Sequence, residues 1–405
     1  MHWQIFIALL LGAALGIFFP AAVPFVSWTG DMFMNALNML IVPVIFFSIV
    51  KSIIGILTSG YDLKNLGLKT LGFYVLTMII AVVTGLILVS LIEPGQGLPA
   101  GKNMPAAGLT VEQQSVQNIV VNFIPKNIFY AFTQNYTLPV ILVAFLAGLH
   151  IPKISQAGRD SLTGFIEGGF ELTMRITKLV IRCSPLGIFA IVMKQFGDTV
   201  DFLPLVKSMF LYVLTVTAGL AIHTFVWFSL ILRFGCKVHP WRHLRNTATP
   251  LLTAFSTASS GAALPATLHA VRHNDGVSPG IAQFTIPLGA AINMDGTALL
   301  ECVAVIFIAQ AYGVELSLLQ IILVAFTSLL CAIGAAGIPM AALVMMSLIL
   351  NVVGLPLEGI GLVAGVDRIL DMMRTAVNVY GDTCVAVMVA KTEKETLKID
   401  ISAKP

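Results

Sequence analysis

The chain has 405 residues, of which 57% are hydrophobic and 11% charged, with a mean hydropathy of +0.93. Soluble domains carry about 25% charged residues, so the composition excludes an ordinary soluble protein and predicts an all-α polytopic membrane protein. The net charge of +3 is too small to suggest a nucleic-acid partner.

Long apolar runs cover 3–20, 31–56, 70–92, 136–150, 204–232, 280–311, 317–351 and 376–390. A span needs about 20 apolar residues, so roughly eight crossings fit, with some segments too long or too broken to be plain spans. Residues 5–19 read as a retained first helix, because no basic stretch precedes them. Residues 93–116 are rich in Gly and Pro and read as an external loop. Asn135-Tyr136-Thr137 matches a glycosylation sequon by pattern only, and it abuts a predicted membrane segment.

Over 161–190 the charged residues Glu167, Glu171, Arg175, Lys178 and Arg182 recur at helical spacing. Glu167, Glu171 and Arg175 share one face and invite i,i+4 pairing. The predicted element is a tilted helix with one face in water or against a subunit. The five cysteines (Cys183, Cys236, Cys302, Cys331, Cys384) have neither metal-ligand nor redox spacing and read as small core residues. Basic residues divide 14 to 4 between the two sets of loops and ends, which predicts both termini in the cytoplasm.

The second half contains a weak internal repeat. Gly261-Ala262-Ala263-Leu264-Pro265 and Gly334-Ala335-Ala336-Gly337-Ile338-Pro339 each sit inside an apolar segment whose arms are too short to cross twice. Each predicts a re-entrant hairpin with a small-residue tip. Each is followed by an apolar helix carrying Asn, Asp and Gly: Asn293-Met294-Asp295-Gly296-Thr297 in the first, Asn378 through Gly381-Asp382 in the second. Duplicated, broken segments of this kind point to a transporter with inverted repeats and a site near the midplane. Irregular backbone at that depth is tolerated only where it is buried or lines a cavity. Freed carbonyls at an unwound Asn293-Met294-Asp295-Gly296, alongside the Asp295 carboxylate, are oxygen ligands of the sort a hard cation takes.

The most constrained segment comes last. Asp371, Arg374, Thr375, Asn378 and Asp382 have offsets of 0, 3, 4, 7 and 11 and project from one helix face, which Asp367 extends by a turn. A charge at mid-bilayer costs about 2.5–3.5 kcal/mol on insertion scales. The stripe must therefore line a polar site.

With these residues in view, the chain resembles the glutamate/aspartate transporter family, the dicarboxylate/amino acid:cation symporters, over nearly its whole length. The likeness is strongest over 250–391. Ser256-Thr257-Ala258-Ser259-Ser260 looks like the family's serine-rich first hairpin tip, Asn293 to Thr297 its seventh-helix signature, Gly334 to Pro339 its second hairpin, and Asp371 to Asp382 its eighth helix.

The resemblance implies eight transmembrane helices plus two re-entrant hairpins, and an elevator-type symporter in the cell membrane, assembled as a homotrimer. Residues 1–65 would be scaffold helices one and two, 66–92 helix three of the transport domain, and 93–200 scaffold helices four and five with the external loop. Residues 201–390 would form the rest of the transport domain, and 391–405 a cytoplasmic tail. The second hairpin would act as the external gate.

By the same resemblance Arg374 would bind the substrate side-chain carboxylate and Asp371 the α-amino group. Thr297, Thr375 and Asn378 would complete the pocket with Ala258, Ser259 and Ser260 of one hairpin tip and Ile338 of the other. Asp367 would hold Arg374 in place. One sodium ion would use Gly289, Asn293, Asn378 and Asp382, a second Tyr74, Thr77, Asn293 and Asp295, and a third the backbone near Ala332, Ile333 and Ala335. The implied substrate is L-glutamate or L-aspartate, the coupling ion sodium, and no prosthetic cofactor is expected.

This chain departs from the pattern at several positions. Met78 stands where a serine usually follows Thr77, and Ala291 where a threonine is common. Ala258 and Met372 occupy positions at which sodium-coupled relatives often carry an extra arginine. Glu301, six residues after Asp295, falls where mammalian relatives carry a glutamate implicated in proton coupling, which makes it a candidate proton carrier. Proton-only symport, C4-dicarboxylate symport and an anion channel are the competing readings. An intramembrane protease is disfavoured: Tyr61-Asp62 and Tyr380-Gly381-Asp382 lack the Gly-x-Gly-Asp partner, and His223 and His269 have no motif around them.

Overall fold

The computed structural model describes residues 2–58, 66–98, 124–133, 137–197, 202–334 and 341–401. The described chain is helical, without a strand; the only β pairing in it is one isolated bridge, Val238 to Asp400. Helix α1 (His2–Phe18) turns through a 3-10 turn at Pro20–Ala22 into α2 (Val23–Thr58). The two axes are bent by 108°. The expected gap between the first two apolar runs is thus a tight corner, because Pro20 presets φ for a turn start.

Helix α3 (Leu68–Ile92) is 25 residues long. At 1.5 Å per residue it can cross a hydrocarbon core of about 30 Å. It ends at Glu93, whose φ of +46° stops the helix in the left-handed region. Short helices α4 (Ile128–Thr133) and α5 (Thr137–His150) precede α6 (Gln156–Arg182) and α7 (Ser184–Gly197). On α6, Arg175 pairs with Glu171 at 2.8 Å while Glu167 is exposed with no ion-pair partner among the described residues. Cys236, Cys302, Cys331 and Cys384 are buried as expected, but Cys183, in the link between α6 and α7, is exposed.

Helix α8 (Phe202–Ile222) continues through two wide π-turns, His223–Trp227 and Ile231–Gly235. A short α9 (Pro240–Asn246) leads into α10 (Ala248–Thr257) and α11 (Ser260–His269), the first hairpin. The turn of that hairpin falls at Ala258 and Ser259, not at Gly261–Pro265, which lies inside α11. Ala258 adopts φ +49°, and the Ser259 hydroxyl accepts from Ala262 N to cap the next helix.

The following segment is broken, as expected, but over only two residues. Helix α12 (Pro279–Ile292) and α13 (Asp295–Ala311) are separated by Asn293 and Met294, while Asp295, Gly296 and Thr297 are already helical. The second hairpin has arms α14 (Leu318–Gly334) and α15 (Ala341–Val353); its tip, including Ala335 and Ile338, lies outside the described residues, as do Tyr61-Asp62 and the Asn135 sequon. Helix α16 (Ile360–Thr392) is continuous over 33 residues. Its Asn378–Asp382 segment does not repeat the break of the first half.

By length and composition, three helical stretches among the described residues can cross a membrane: Leu68–Ile92, Pro204–Gly235 and Pro279–Ala311; the bent pair at the N-terminus makes up to four. Helix α16, at 33 residues, is long enough to cross but carries the charged stripe. The centre of the molecule is α13, where every residue except Gln310 is buried. It packs against α3, α8, α14 and α16. Tyr212 of α8 stacks on Phe307 of α13 at 4.7 Å. Gln310 donates to Val89 O of α3 at 3.2 Å and accepts from Gly95 N at 3.1 Å, tying the two helix ends together. A second group, α1, α2, α5, α6 and α7, packs mainly on itself.

Candidate functional site

The stripe on α16 is buried along its whole length. Asp367, Asp371, Arg374, Thr375, Asn378 and Asp382 are all at most 6% exposed. Arg374 grips one carboxylate oxygen, with Nε at 2.9 Å and Nη2 at 2.7 Å from Asp371 Oδ1. Thr375 donates to the Asp371 carbonyl at 2.6 Å. No contact ion pair joins Asp367 to Arg374, and Asp367 Oδ2 has no hydrogen-bond partner. Offsets of three along a helix favour the Asp371–Arg374 contact, whereas Asp367 and Arg374 are seven apart, nearly two turns.

Seven residues beyond Asp371, Asn378 reaches across to the start of α13. Its Oδ1 accepts from Gly296 N at 2.7 Å, and its amide donates to Thr297 Oγ1 at 3.1 Å. The first N–H groups of a helix have no partner within it, so Asn378 satisfies one of them from outside. Close approach of the two helices depends on Gly296, where a Cβ would lie 2.8 Å from the Arg374 carbonyl.

Beside this contact lies a cluster of oxygens from three helices. Thr77 Oγ1 of α3 is 3.1 Å from Asp295 Oδ1, 3.4 Å from Asn293 Oδ1 and 3.1 Å from Tyr74 O. One hydroxyl hydrogen serves one strong bond at a time, so these acceptors converge without enough donors to satisfy them. Asn293 donates to Asp382 Oδ1 at 3.0 Å. Gly289 has no room for a side chain, because a Cβ there would collide with the Asp382 carboxylate and sit 2.7 Å from the Tyr74 hydroxyl. Tyr74 donates that hydroxyl to Thr285 O at 2.6 Å.

Asp295 and Asp382 are 0% and 1% exposed, and neither pairs with an Arg or Lys among the described residues. A buried ionised carboxylate is costly unless a positive charge or a proton compensates it. No group of three or more His, Cys, Asp or Glu suited to a metal occurs among the described residues. The donors are hydroxyls, amide and backbone carbonyls and two carboxylates, which suit a hard cation and not a transition metal.

Other expected site residues are placed apart from these bonds. Ser259 and Ser260 of the first hairpin make no side-chain bond to the α16 stripe; Ser259 caps α11, and Ser260 is buried. Hairpin and α16 meet instead through Ala254 and Ala263 packing on Val379. Ala332 is buried on α14, where Ile333 also lies. Glu301, four residues after Thr297 on α13, is fully buried with neither carboxyl oxygen hydrogen-bonded. Met78 is fully buried next to Thr77.

Two residues near the site escaped the sequence reading. Arg368 Nη1 lies 3.3 Å from Asp371 Oδ2, while Arg374 holds Oδ1. Its signal was present, since it precedes Asp371 by three residues. His223 Nε2 lies 3.3 Å from Asp295 Oδ2, both residues buried. The contact joins residues 72 apart and is set by the π-turn that carries His223, so no local spacing reveals it.

Comparison with known sequences gives the family. The family model described as the sodium:dicarboxylate symporter family matches residues 1–392. The chain belongs to the sodium:dicarboxylate symporter family. Among its relatives, the proton/sodium-glutamate symport protein of Geobacillus stearothermophilus is 33% identical, over 97% of this chain and 94% of that protein. The proton/glutamate-aspartate symporter of Escherichia coli K12 is 30% identical, over 97% and 93%. The human excitatory amino acid transporter 3 is 32% identical, over 93% and 81%. As a member of this family with apolar spans, the chain is a multi-pass membrane transporter.

Proposed function

We propose that this symporter carries L-glutamate or L-aspartate across the cell membrane, coupled to sodium, with Glu301 as the site of an accompanying proton. One observation supports this above the rest. The buried Asp371–Arg374 pair shares a helix face with Asn378, which bonds the first turn of α13 beside a cluster whose two carboxylates, Asp295 and Asp382, have no Arg or Lys partner. Arg374 offers a planar fork for a side-chain carboxylate and Asp371 an acceptor for an ammonium. Thr297, Thr375 and Asn378 line the same face, with the hairpin-tip residues Ala258, Ser259, Ser260 and Ile338 closing the pocket.

Sodium is read as co-substrate in two sets: Tyr74, Thr77, Asn293 and Asp295 in one, and Gly289, Asn293, Asn378 and Asp382 in the other. A third set uses backbone near Ala332, Ile333 and Ala335. The protein moves its cargo by an elevator mechanism, with eight crossings and two hairpins, and α3, α8 and α10–α16 form the mobile body. Helices α1, α2, α5, α6 and α7 form the scaffold of a homotrimer with both termini in the cytoplasm. Separate packing of these two groups supports the division.

Uptake into proteoliposomes tests this. Labelled L-aspartate or L-glutamate is added outside, under a sodium gradient or a pH gradient. Accumulation under the sodium gradient is expected; accumulation under the pH gradient with none under the sodium gradient removes sodium from the account. That second outcome, proton-only symport, is favoured by Met78, whose apolar side chain is buried beside Thr77.

A further inference from the structure

A second buried polar cluster begins one residue beyond Asp382. His243, Asp275 and Thr383 are each 0% exposed. The His243 ring bridges the other two, with Nδ1 2.9 Å from Asp275 Oδ2 and Nε2 3.0 Å from Thr383 Oγ1. Cys384 Sγ stands 3.6 Å from the same Nε2. The three residues come from three parts of the chain. His243 is on α9, which leads into the first hairpin. Asp275 ends the π-turn Ala270–Asp275 by which the chain leaves that hairpin, and Thr383 is on α16 directly after Asp382.

Asp275 is a fixed anchor. Its other oxygen, Oδ1, accepts from Asn246 at 2.9 Å, and its carbonyl accepts from Lys398 N at 2.9 Å. Asn246 and Asn274 donate to each other's carbonyls at 3.2 and 2.9 Å, which ties the two legs of the hairpin at its base. At the far end, the Thr383 hydroxyl also lies 2.7 Å from the Tyr380 carbonyl, so it is held from both sides.

We propose that His243 is a positioning residue for the sodium site, acting on Asp382 through Thr383. The inference rests on the sodium reading above. Successive side chains on a helix project about 100° apart. A tether on Thr383 therefore sets the rotation of α16 about its axis, and that rotation sets where Asp382 points. Asn293 holds the carboxylate itself, at 3.0 Å; His243 holds the helix that carries it. Buried polar pairs add little to stability, since well-packed apolar side chains in their place are often neutral or better. What this cluster contributes is placement, and placing a ligand from outside is how outer partners tune a bound metal ion.

The test uses purified full-length transporter in proteoliposomes, with uptake of labelled L-aspartate measured against sodium concentration. Thr383→Val removes the hydroxyl and keeps the shape. His243→Asn keeps an amide near Nδ1 for Asp275 and loses the reach to Thr383. Each is expected to raise the sodium needed for half-maximal uptake by on the order of tenfold, the lower end for outer partners of a bound metal, with the rate at saturating sodium retained. The double variant is expected to be no worse than either single one, because both cut the same link. Thr383→Ser restores the hydroxyl and is expected to stay near wild type. Thr383→Val loses one hydroxyl alone and decides the matter where His243→Asn does not fold. A purely structural role would lower the thermal midpoint and the maximal rate without moving the sodium requirement. That result, additive effects in the double variant, or a Thr383→Ser variant as impaired as Thr383→Val overturns the proposal and leaves sodium coupling intact. Wild-type uptake that ignores sodium overturns both.

Discussion

Asn293 donates its side-chain amide to Asp382 across a separation of 89 residues, at 3.0 Å, and both are buried. The bond joins the break between α12 and α13 to the middle of an unbroken helix. It fixes one oxygen of Asp382.

Asp382→Asn keeps a carboxamide oxygen in place and removes the charge. Half-maximal uptake is expected to require at least tenfold more sodium, about 1.4 kcal/mol. The sodium dependence of L-aspartate uptake in proteoliposomes measures it. An unchanged sodium requirement removes Asp382 from the ion site.

Arg374→Ala leaves Asp371 with Arg368 as its cationic neighbour. Binding of acidic amino acids is expected to be lost, a penalty of about 2–5 kcal/mol for a buried charge-paired contact. Arg374→Lys retains the charge without the planar fork and is expected to fall between wild type and Ala. Titration of purified protein reads the affinity, and a retained elution profile and helical circular dichroism show that the fold survives.

Glu301→Gln removes a titrating group and preserves shape. Uptake driven by a pH gradient is expected to vanish while uptake driven by sodium persists. An equal response to the pH gradient in the variant would place the proton elsewhere.

Gly381 faces Asn293 and Asp295. A Cβ there would lie 2.6 Å from Asp295 Oδ2 and 3.0 Å from Asn293 Nδ2. Gly381→Ala is expected to lower stability by about 1–3 kcal/mol, the range for inserting a methyl into a filled site. A fall in thermal midpoint in detergent, together with a higher sodium requirement, is the outcome to look for. A neutral substitution would mean that α13 and α16 are less tightly apposed.

Much of the site was legible from the spacing of residues on α16. A helix face is a local property, and a stripe of charges that cannot meet lipid has to face inward. The dipeptide break before Asp295 was legible too, although its extent was not. Gly296 and Thr297 stay helical because the Asn378 side chain supplies, from another helix, the partner their first turn needs. Composition misplaced the first hairpin's turn for a related reason. Gly261 and Pro265 read as breakers, yet Pro265 inside α11 costs only the bond from residue 265 to the Gly261 carbonyl, while Ala258 takes the left-handed conformation with no side-chain signal at all. Arg368 and His223 show two ways of being missed. One stands beside Asp367 and three residues before Asp371, so local spacing could have found it, and the other depends on where a π-turn sends its ring.

The position of Asn378 has a thermodynamic consequence. One carboxamide spans the α16 stripe and the first turn of α13, so an occupant on either side shifts the other by way of the same side chain. Binding free energies around a closed cycle must balance. Whatever factor sodium adds to the affinity for the amino acid, the amino acid must return to sodium. Two titrations, each ligand with and without the other, have to yield a single number, and Asn378→Ala should drive that number toward one.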